Sequence, residues 1–199
     1  EIGVRLVGSE MCIRDRDFQK EYEDDILLVL FDHRLRELGK SLKSEGTIEF
    51  ITAKQDPGKK AYRRSTTLLL QKAVDNLYGK DGVSIQIRHS LGQGYYCTLK
   101  GAKEDISDLI LSIKIEMMRL VDADISIGKK SCRTDDAIRL FAERGMHDKE
   151  RLFRYRRSSR VNVYDLDGYI DYFYGYMVPS TGYLKYFKLY LYDEGFVVQ

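Results

Sequence analysis

The chain has 199 residues and a mass of 23.2 kDa, which is room for one domain, or for one domain and part of another. Hydrophobic residues make up 43% and charged residues 32% of the chain, a composition typical of a globular protein with a buried core. The net charge of +2 gives no strong positive field that would capture nucleic acid. No apolar run approaches the roughly 20 residues of a membrane span, so a membrane protein is excluded.

The first sixteen residues have no helical or strand periodicity that joins them to the rest of the chain. Residues 6–15 read LVGSEMCIRD, and this string resembles one reading frame of a transposase-type sequencing adapter. We therefore expect residues 1–16 to be non-native and to pack poorly; the alternative is a native N-terminal arm. Apart from Cys12, the cysteines Cys97 and Cys132 form no CxxC motif and follow no secretory signal, which predicts reduced thiols in the cytoplasm.

The first native module is predicted to be small and rich in β-structure. Residues 26–31 (ILLVLF) have the pattern of a buried strand, and Asp32 and His33 follow as a turn. Residues 47–51 alternate between apolar and polar side chains and predict a second strand. Residues 54–58 (KQDPG) then mark a turn and a domain boundary.

The remainder of the chain mixes helices and strands without regular alternation. Asp167-Gly168 between two apolar runs is a strong hairpin signal, and Gly92-Gln93-Gly94 predicts a tight turn rather than a dinucleotide-binding loop. We therefore expect an α+β fold with helices packed on an antiparallel sheet. The predicted helices are residues 69–78 (ended by Gly79), 103–121, 134–144 (with Thr134 as N-cap) and 147–155, and the predicted strands are residues 83–88, 95–99, 161–166, 169–174, 185–192 and 196–198.

The sequence offers few candidates for catalysis, and we predict no catalytic, cofactor-binding or metal-binding residue. His33, His89 and His147 lie on different elements, so a zinc site lacks converging ligands. Residues 128–131 (GKKS) lack the first glycine of a P-loop. His89 and Cys97 are placed to face each other across a hairpin, either as a packed polar pair or as a base and nucleophile without an orienting partner.

Two features favour a binding role. Basic residues interleaved with aromatic ones between residues 151 and 160 suit phosphate binding and base stacking, the alternative being a solvated face over buried aromatic rings. Most of the fifteen tyrosines lie in the last forty residues, either as half-buried sheet residues or as a stacking surface. The basic stretch comprises Arg151, Arg154, Arg156, Arg157 and Arg160, interrupted by Phe153 and Tyr155.

Three strings resemble, in the same order, the editing domain of threonyl-tRNA synthetase. Residues 64–74 (RSTTLLLQKAV) resemble its HSxAHLLAxAV helix, residues 94–97 (GYYC) its GFYY hairpin, and residues 171–189 (DYFYGYMVPSTGYLKYFKL) its DLCRGPHVPxTGxIKAFKL motif. Residues 26–53 resemble the end of a TGS domain, the β-grasp module that precedes this editing domain. The resemblance implies a partial TGS domain over residues 17–54 and an editing-like domain over 55–199.

The chain departs from the synthetase pattern where that family carries out hydrolysis. The family has two histidines on the helix and a cysteine and a histidine in the last motif, which form a water-activating or metal-binding centre. The matching residues in this chain are Arg64, Leu68, Phe173 and Met177. Because an apolar side chain neither ligates a metal nor transfers a proton, the resemblance implies a scaffold without this chemistry.

The replaced centre leads to three structural expectations. The loop at residues 179–182 (PSTG) should be rigid and lie between two strands beside Arg64. Leu68, Phe173 and Met177 should fill the former pocket with apolar surface. Arg64 should reach water, or pair with a carboxylate or a bound anion.

The strings at residues 63–73, 89–97 and 171–187 are more similar still to the bacterial uridine kinase-like nucleoside kinases, in which TGS and editing-like domains precede a P-loop kinase domain. This resemblance implies a non-catalytic accessory fragment that binds a nucleoside, a nucleotide or RNA, with the kinase domain and its ATP and Mg²⁺ beyond Gln199. The alternatives are an editing region of threonyl-tRNA synthetase that hydrolyses aminoacyl-tRNA, and a free-standing RNA-binding protein. The candidate ligand- or anion-binding residues are Arg64, His89, Arg154, Arg157 and Lys185.

Overall fold

The computed structural model describes residues 2–4, 11–12, 18–38, 41–42, 45–102 and 105–199. In this part of the chain, four α-helices pack against antiparallel sheets, so the predicted α+β fold is confirmed. Among these residues, no helix is both long enough and apolar enough to span a bilayer. The helices are α1 (Asp56–Tyr78), α2 (Ile106–Asp122), α3 (Thr134–Glu143) and α4 (His147–Arg154).

The strands form three larger sheets and one two-stranded ladder, and every pairing between them is antiparallel. The spatial orders are β1-β6-β3-β4, β11-β10-β9, β12-β13-β8-β7 and β2-β5. The strands are β1 (Ile2–Val4), β2 (Met11–Cys12), β3 (Ile26–Phe31), β4 (Arg34–Glu37), β5 (Ser41–Leu42), β6 (Gly46–Thr52), β7 (Ser84–Leu91), β8 (Gly94–Lys100), β9 (Gly128–Arg133), β10 (Arg160–Leu166), β11 (Tyr169–Tyr172), β12 (Leu189–Tyr192) and β13 (Gly195–Val198).

Helix α1 is the central element of the fold. Two residues mark its ends. Pro57 lies in the first turn, where its missing N–H is not needed, and Gly79 occupies the C-cap. Its apolar side packs with α2 and with the sheet that contains β8 and β13 into one large core. Leu27, Leu28 and Ile51 of the first sheet belong to the same core, which therefore continues across the domain boundary predicted near residue 54.

The N-terminal segment is not wholly outside the fold. Ile2–Val4 pairs antiparallel with Gly46–Thr52, with Gly3 opposite Thr47. This part of the segment therefore joins the edge of the first sheet through its backbone, which requires no side-chain pattern, and the expectation that residues 1–16 pack poorly stays a prediction. The other positions of this segment, β2 apart, lie outside the described residues, and its origin in an adapter stays a prediction.

Three sequence predictions are wrong in detail. Thr134 is the first residue of α3 rather than its N-cap; Arg133 takes the cap position, and the Thr134 hydroxyl donates to the carbonyl of Ser158 at 2.5 Å. The strand predicted from residue 185 begins only at Leu189. Strand β9 was missed, because its residues are almost all polar and most of its side chains are exposed.

Candidate functional site

Helix α1 and the segment that follows β11 meet through the hydroxyl of Ser65. The N–H of Val178 donates to Ser65 Oγ at 3.0 Å, and the hydroxyl in turn donates to the carbonyl of Ala61 at 2.8 Å. Ser65 Oγ also lies 3.3 Å from Met177 Sδ. The structure therefore brings the first and the last of the three resemblance motifs together, as the sequence predicts.

The loop at residues 179–182 is fixed by Thr181, whose side chain is fully buried. Its hydroxyl donates to the carbonyl of Leu120 at the end of α2, at 2.5 Å, and accepts the N–H of Ile125 at 2.8 Å. The loop is thus held on α2 as well as beside α1. It lies between β11 and β12, as expected, and its last two residues belong to a 3₁₀ turn at Thr181–Tyr183.

Three of the four positions that match the polar residues of the synthetase pattern carry apolar side chains that pack together. Leu68 and Met177 are buried in one cluster with Tyr164 and Leu166, and the half-buried Phe173 packs against it. Burying a side chain of this size contributes roughly 1.5–3 kcal/mol. Leu68, Phe173 and Met177 therefore lie in one apolar cluster, as expected, and that this cluster occupies a former pocket stays a prediction.

Arg64, the fourth replaced position, donates a hydrogen bond to the backbone. Its Nη1 donates to the carbonyl of Tyr176 at 2.6 Å. Its guanidinium lies against Gly175, whose φ is +125°, and a Cβ at Gly175 would be 2.5 Å from Arg64 Cζ. The partner of Arg64 in the structure is thus a backbone carbonyl, and the φ of Gly175 favours a glycine beneath the guanidinium. Its pairing with water or an anion stays a prediction.

Glu37, at the end of β4, enters the same centre from the first sheet. Its Oε1 accepts the phenol O–H of Tyr164 at 2.6 Å and the N–H of Met177 at 3.1 Å. Its Oε2 forms an ion pair with Lys129 Nζ at 3.1 Å, between side chains that are 11% and 18% exposed. The carboxylate therefore already has three partners.

Tyr164 and Lys129 complete the arrangement. The phenol oxygen of Tyr164 is also 2.6 Å from the carbonyl of Gly175. Burial, followed by the hydrogen bond to Glu37, raises the pKa of Tyr164, so the phenol stays protonated and acts as a donor. Lys129 Nζ lies 5.3 Å and 5.0 Å from the ring centres of Tyr164 and Tyr176. We call Glu37, Arg64, Lys129 and Tyr164 the polar cluster.

A cavity of about 260 Å³ borders the polar cluster and is lined in part by Glu37, Lys129 and Met177. Zinc in proteins is held by histidine, cysteine or carboxylate ligands. In the described part of the chain, no three His, Cys, Asp or Glu side chains gather as metal ligands. The side chains at the replaced positions do not fit a metal, and the geometry supports hydrogen bonding and ion pairing instead.

The possible Cys–His pair is not formed. In the ladder between β7 and β8, His89 lies opposite Tyr96, with ring centres 5.2 Å apart, whereas Cys97 lies opposite Ile87. A register shift between Ile87 and His89 separates the two residues. Cys97 is fully buried, and burial raises the pKa of its thiol to about 12. Neither catalysis nor a packed polar pair involves these two side chains together.

The basic stretch is largely solvated and partly tied to neighbouring residues. Arg154 Nη2 is 2.5 Å from Glu150 Oε1 on α4, and the guanidinium of Arg156 lies 5.0 Å from the ring centre of Tyr172. Phe153 is buried, as the solvated-face alternative requires, but Tyr155 is 88% exposed. Within this stretch, the ring of Tyr155 is therefore exposed between the arginines.

The candidate ligand-binding residues have different neighbours in the structure. Arg64 binds a loop carbonyl, His89 contacts Tyr96, and Lys185 Nζ lies 3.5 Å from Asp25 Oδ2.

The sequence analysis missed Glu37, Lys129 and Tyr164, which surround the replaced positions. Glu37 ends a short strand and directly precedes Leu38, and Lys129 belongs to a polar segment considered only as a P-loop. The sequence feature that could have indicated Glu37 is a single acidic residue next to the buried Leu38. This feature does not indicate which residues Glu37 contacts.

No family model matches the chain. It is 32% identical over 160 residues to the threonine--tRNA ligase of Syntrophotalea carbinolica, a match that covers 80% of this chain and 25% of that protein. The corresponding ligase of Bacillus velezensis is 32% identical over 149 residues (74% and 23%), and that of Carboxydothermus hydrogenoformans is 28% identical over 166 residues (83% and 26%). The chain thus spans about a quarter of the length of these relatives. Most of it is similar to one region of threonyl-tRNA synthetases.

Proposed function

We propose that this chain is a threonyl-tRNA synthetase-derived editing-like region whose hydrolytic centre has become a structural one, so that it serves as a non-catalytic accessory or binding region. The similarity to threonine--tRNA ligases over most of the chain supports the synthetase origin. The nucleoside kinase assignment rests on the motif strings alone, and the curated relatives favour the synthetase.

The observation that carries the proposal is the filled centre. Hydrolysis of an aminoacyl ester needs a positioned water and a group that takes its proton. Leu68 and Met177 occupy the space with buried apolar surface. Glu37, the carboxylate at this centre, already accepts two hydrogen bonds and faces an ammonium group, so it is poorly placed to act as a base.

Aminoacyl-tRNA hydrolysis is the competing function, because the motifs resemble the synthetase editing domain and the relatives are threonine--tRNA ligases. The test is single-turnover deacylation of seryl-tRNA, with the ester in buffer alone as reference. We expect the wild-type chain and Arg64→Ala to match the buffer rate, and metal analysis to find less than stoichiometric zinc. Lys60→Ala, which removes a cation one helical turn before Arg64, serves as the control.

Deacylation that disappears in Arg64→Ala but persists in Lys60→Ala would overturn the proposal and establish the editing reaction. The parent protein is tested separately by reading the frame downstream of the codon for Gln199. A synthetase catalytic core is expected, whereas a glycine-rich loop ending in Lys-Ser or Lys-Thr would establish the kinase.

A further inference from the structure

A second cleft lies on the opposite side of α1 from the polar cluster. Its volume is about 290 Å³, close to the lower end of the roughly 300–1,000 Å³ typical of small-molecule sites. Arg64 and Leu68 lie on the side of α1 that carries the polar cluster. Arg63 and Thr66, one or two positions away from them, line the cleft. Its side-chain lining is given mainly by Lys59, Tyr62, Arg63, Thr66, Tyr95 and Tyr186.

The two cations of the cleft lack an anionic partner. Lys59 and Arg63 are four residues apart and therefore neighbours on one helix face, where like charges repel. Among the described residues, no Asp or Glu forms an ion pair with either side chain, and the only other group in the lining that carries a carboxylate is the terminal residue Gln199. Lys59 also lies in the first turns of α1, where the helix dipole disfavours a cation. A bound anion would relieve both the repulsion and the dipole term.

Aromatic rings form the opposite wall. The guanidinium of Arg63 lies 5.9 Å from the ring centre of Tyr95. The hydroxyl of Tyr62 accepts the N–H of Tyr186 at 2.8 Å and is 3.2 Å from its carbonyl oxygen, so the backbone of Tyr186 is fixed beside the helix. The Tyr186 ring is nevertheless 80% exposed. An exposed ring on an anchored backbone, at the rim of a cationic cleft, is available for stacking a planar group.

We propose that this cleft binds a nucleoside monophosphate, with the phosphate between Lys59 and Arg63 and the base on the ring of Tyr186. Two cations match the charge of about −1.5 to −2 on a phosphate monoester better than the single charge of a phosphodiester. The size of the cleft limits the ligand to one nucleotide. This site is independent of the proposed function, because it shares no side chain with the polar cluster.

The test is isothermal titration calorimetry of the whole chain at low salt with adenosine 5′-monophosphate. Adenosine, inorganic phosphate and a trinucleotide RNA ending in adenosine are the comparison ligands. We expect the monophosphate to bind at least about tenfold more tightly than each of them, because only it supplies both the stacking base and the doubly charged phosphate. Its affinity should fall as salt is raised.

The variants separate the two halves of the ligand. Lys59→Gln and Arg63→Gln should each weaken monophosphate binding about tenfold, whereas Lys60→Gln, a matched surface change outside the cleft, should not. Tyr186→Leu should weaken the monophosphate but leave inorganic phosphate unaffected. All four side chains are at least partly exposed, and circular dichroism will verify that each variant is folded.

Three results would overturn the proposal. The first is that adenosine monophosphate does not bind at millimolar concentration. The second is that Lys60→Gln and Arg63→Gln weaken its binding equally. The third is that the trinucleotide binds more tightly than the monophosphate. The last would assign the cleft to an RNA end instead of a free nucleotide.

Discussion

The buried carboxylate of Glu37 allows a quantitative test of the polar cluster. In Glu37→Gln the side-chain oxygen still accepts from Tyr164 and Met177, but the negative charge opposite Lys129 is lost. Breaking a fully buried ion pair costs about 3–5 kcal/mol, because the remaining charge has no partner. The side chains are 11% and 18% exposed, so water screens the remaining ammonium in part. We therefore expect Glu37→Gln to lower the free energy of unfolding by about 2–4 kcal/mol.

Urea denaturation measures this change as a shift of the midpoint at constant slope. A second substitution isolates the ion pair: because Glu37→Gln/Lys129→Met no longer leaves an unpaired ammonium, it should be less destabilised than the sum of its single variants, with a coupling of at least about 1 kcal/mol. Lys130→Met, at the exposed neighbour, is the control. A change in Glu37→Gln below about 0.5 kcal/mol, or a coupling near zero, would refute the ion pair as a stabilising contact.

Three further outcomes test the site and its surroundings. Gly175→Ala should lower the free energy of unfolding in urea by about 1–3 kcal/mol, because its φ is +125° and the new methyl would collide with Arg64. Gly92→Ala, which places its methyl in open space, should lower it by less. Equal losses of stability in the two variants would contradict the close approach of Arg64 to Gly175. Cys97 should resist thiol reagents up to pH 9 in the folded chain and react on unfolding, since its thiolate forms only near the raised pKa of about 12; rapid labelling of the folded chain would contradict its burial. Arg154→Gln should flatten the salt dependence of any RNA binding by about one phosphate contact if α4 binds RNA, and an unchanged slope would leave α4 a solvated helix.

Local pattern was enough to predict the elements that carry an apolar period or a turn signal. Residues 26–31 form β3 with the predicted bounds, and Gly79 ends α1. Asp167 and Gly168 have φ values of 49° and 81°, as a two-residue hairpin turn requires. In each case the signal is carried by neighbouring residues, so no distant contact is needed to interpret it.

The candidate site could be predicted only in part. The motif resemblance placed Arg64, Leu68, Phe173 and Met177 in one centre, and the structure brings Arg64 next to the loop and packs the other three together. The partner of Arg64 was not predictable, because a backbone carbonyl is available at every residue and leaves no mark in the sequence.

The sequence by itself determined the secondary structure around its apolar runs and the loss of the family's four polar positions, since both depend on residue identity at fixed spacing. Tertiary structure alone decided that Glu37 and Lys129, 92 residues apart in the chain, share a buried ion pair. It also decided that the two sides of α1 face different surroundings, a filled centre at Leu68 and an open cationic cleft at Arg63. From sequence alone, a polar side chain is predicted to be solvated. Its burial and its partner depend on the tertiary structure, because they are properties of the folded chain rather than of any segment.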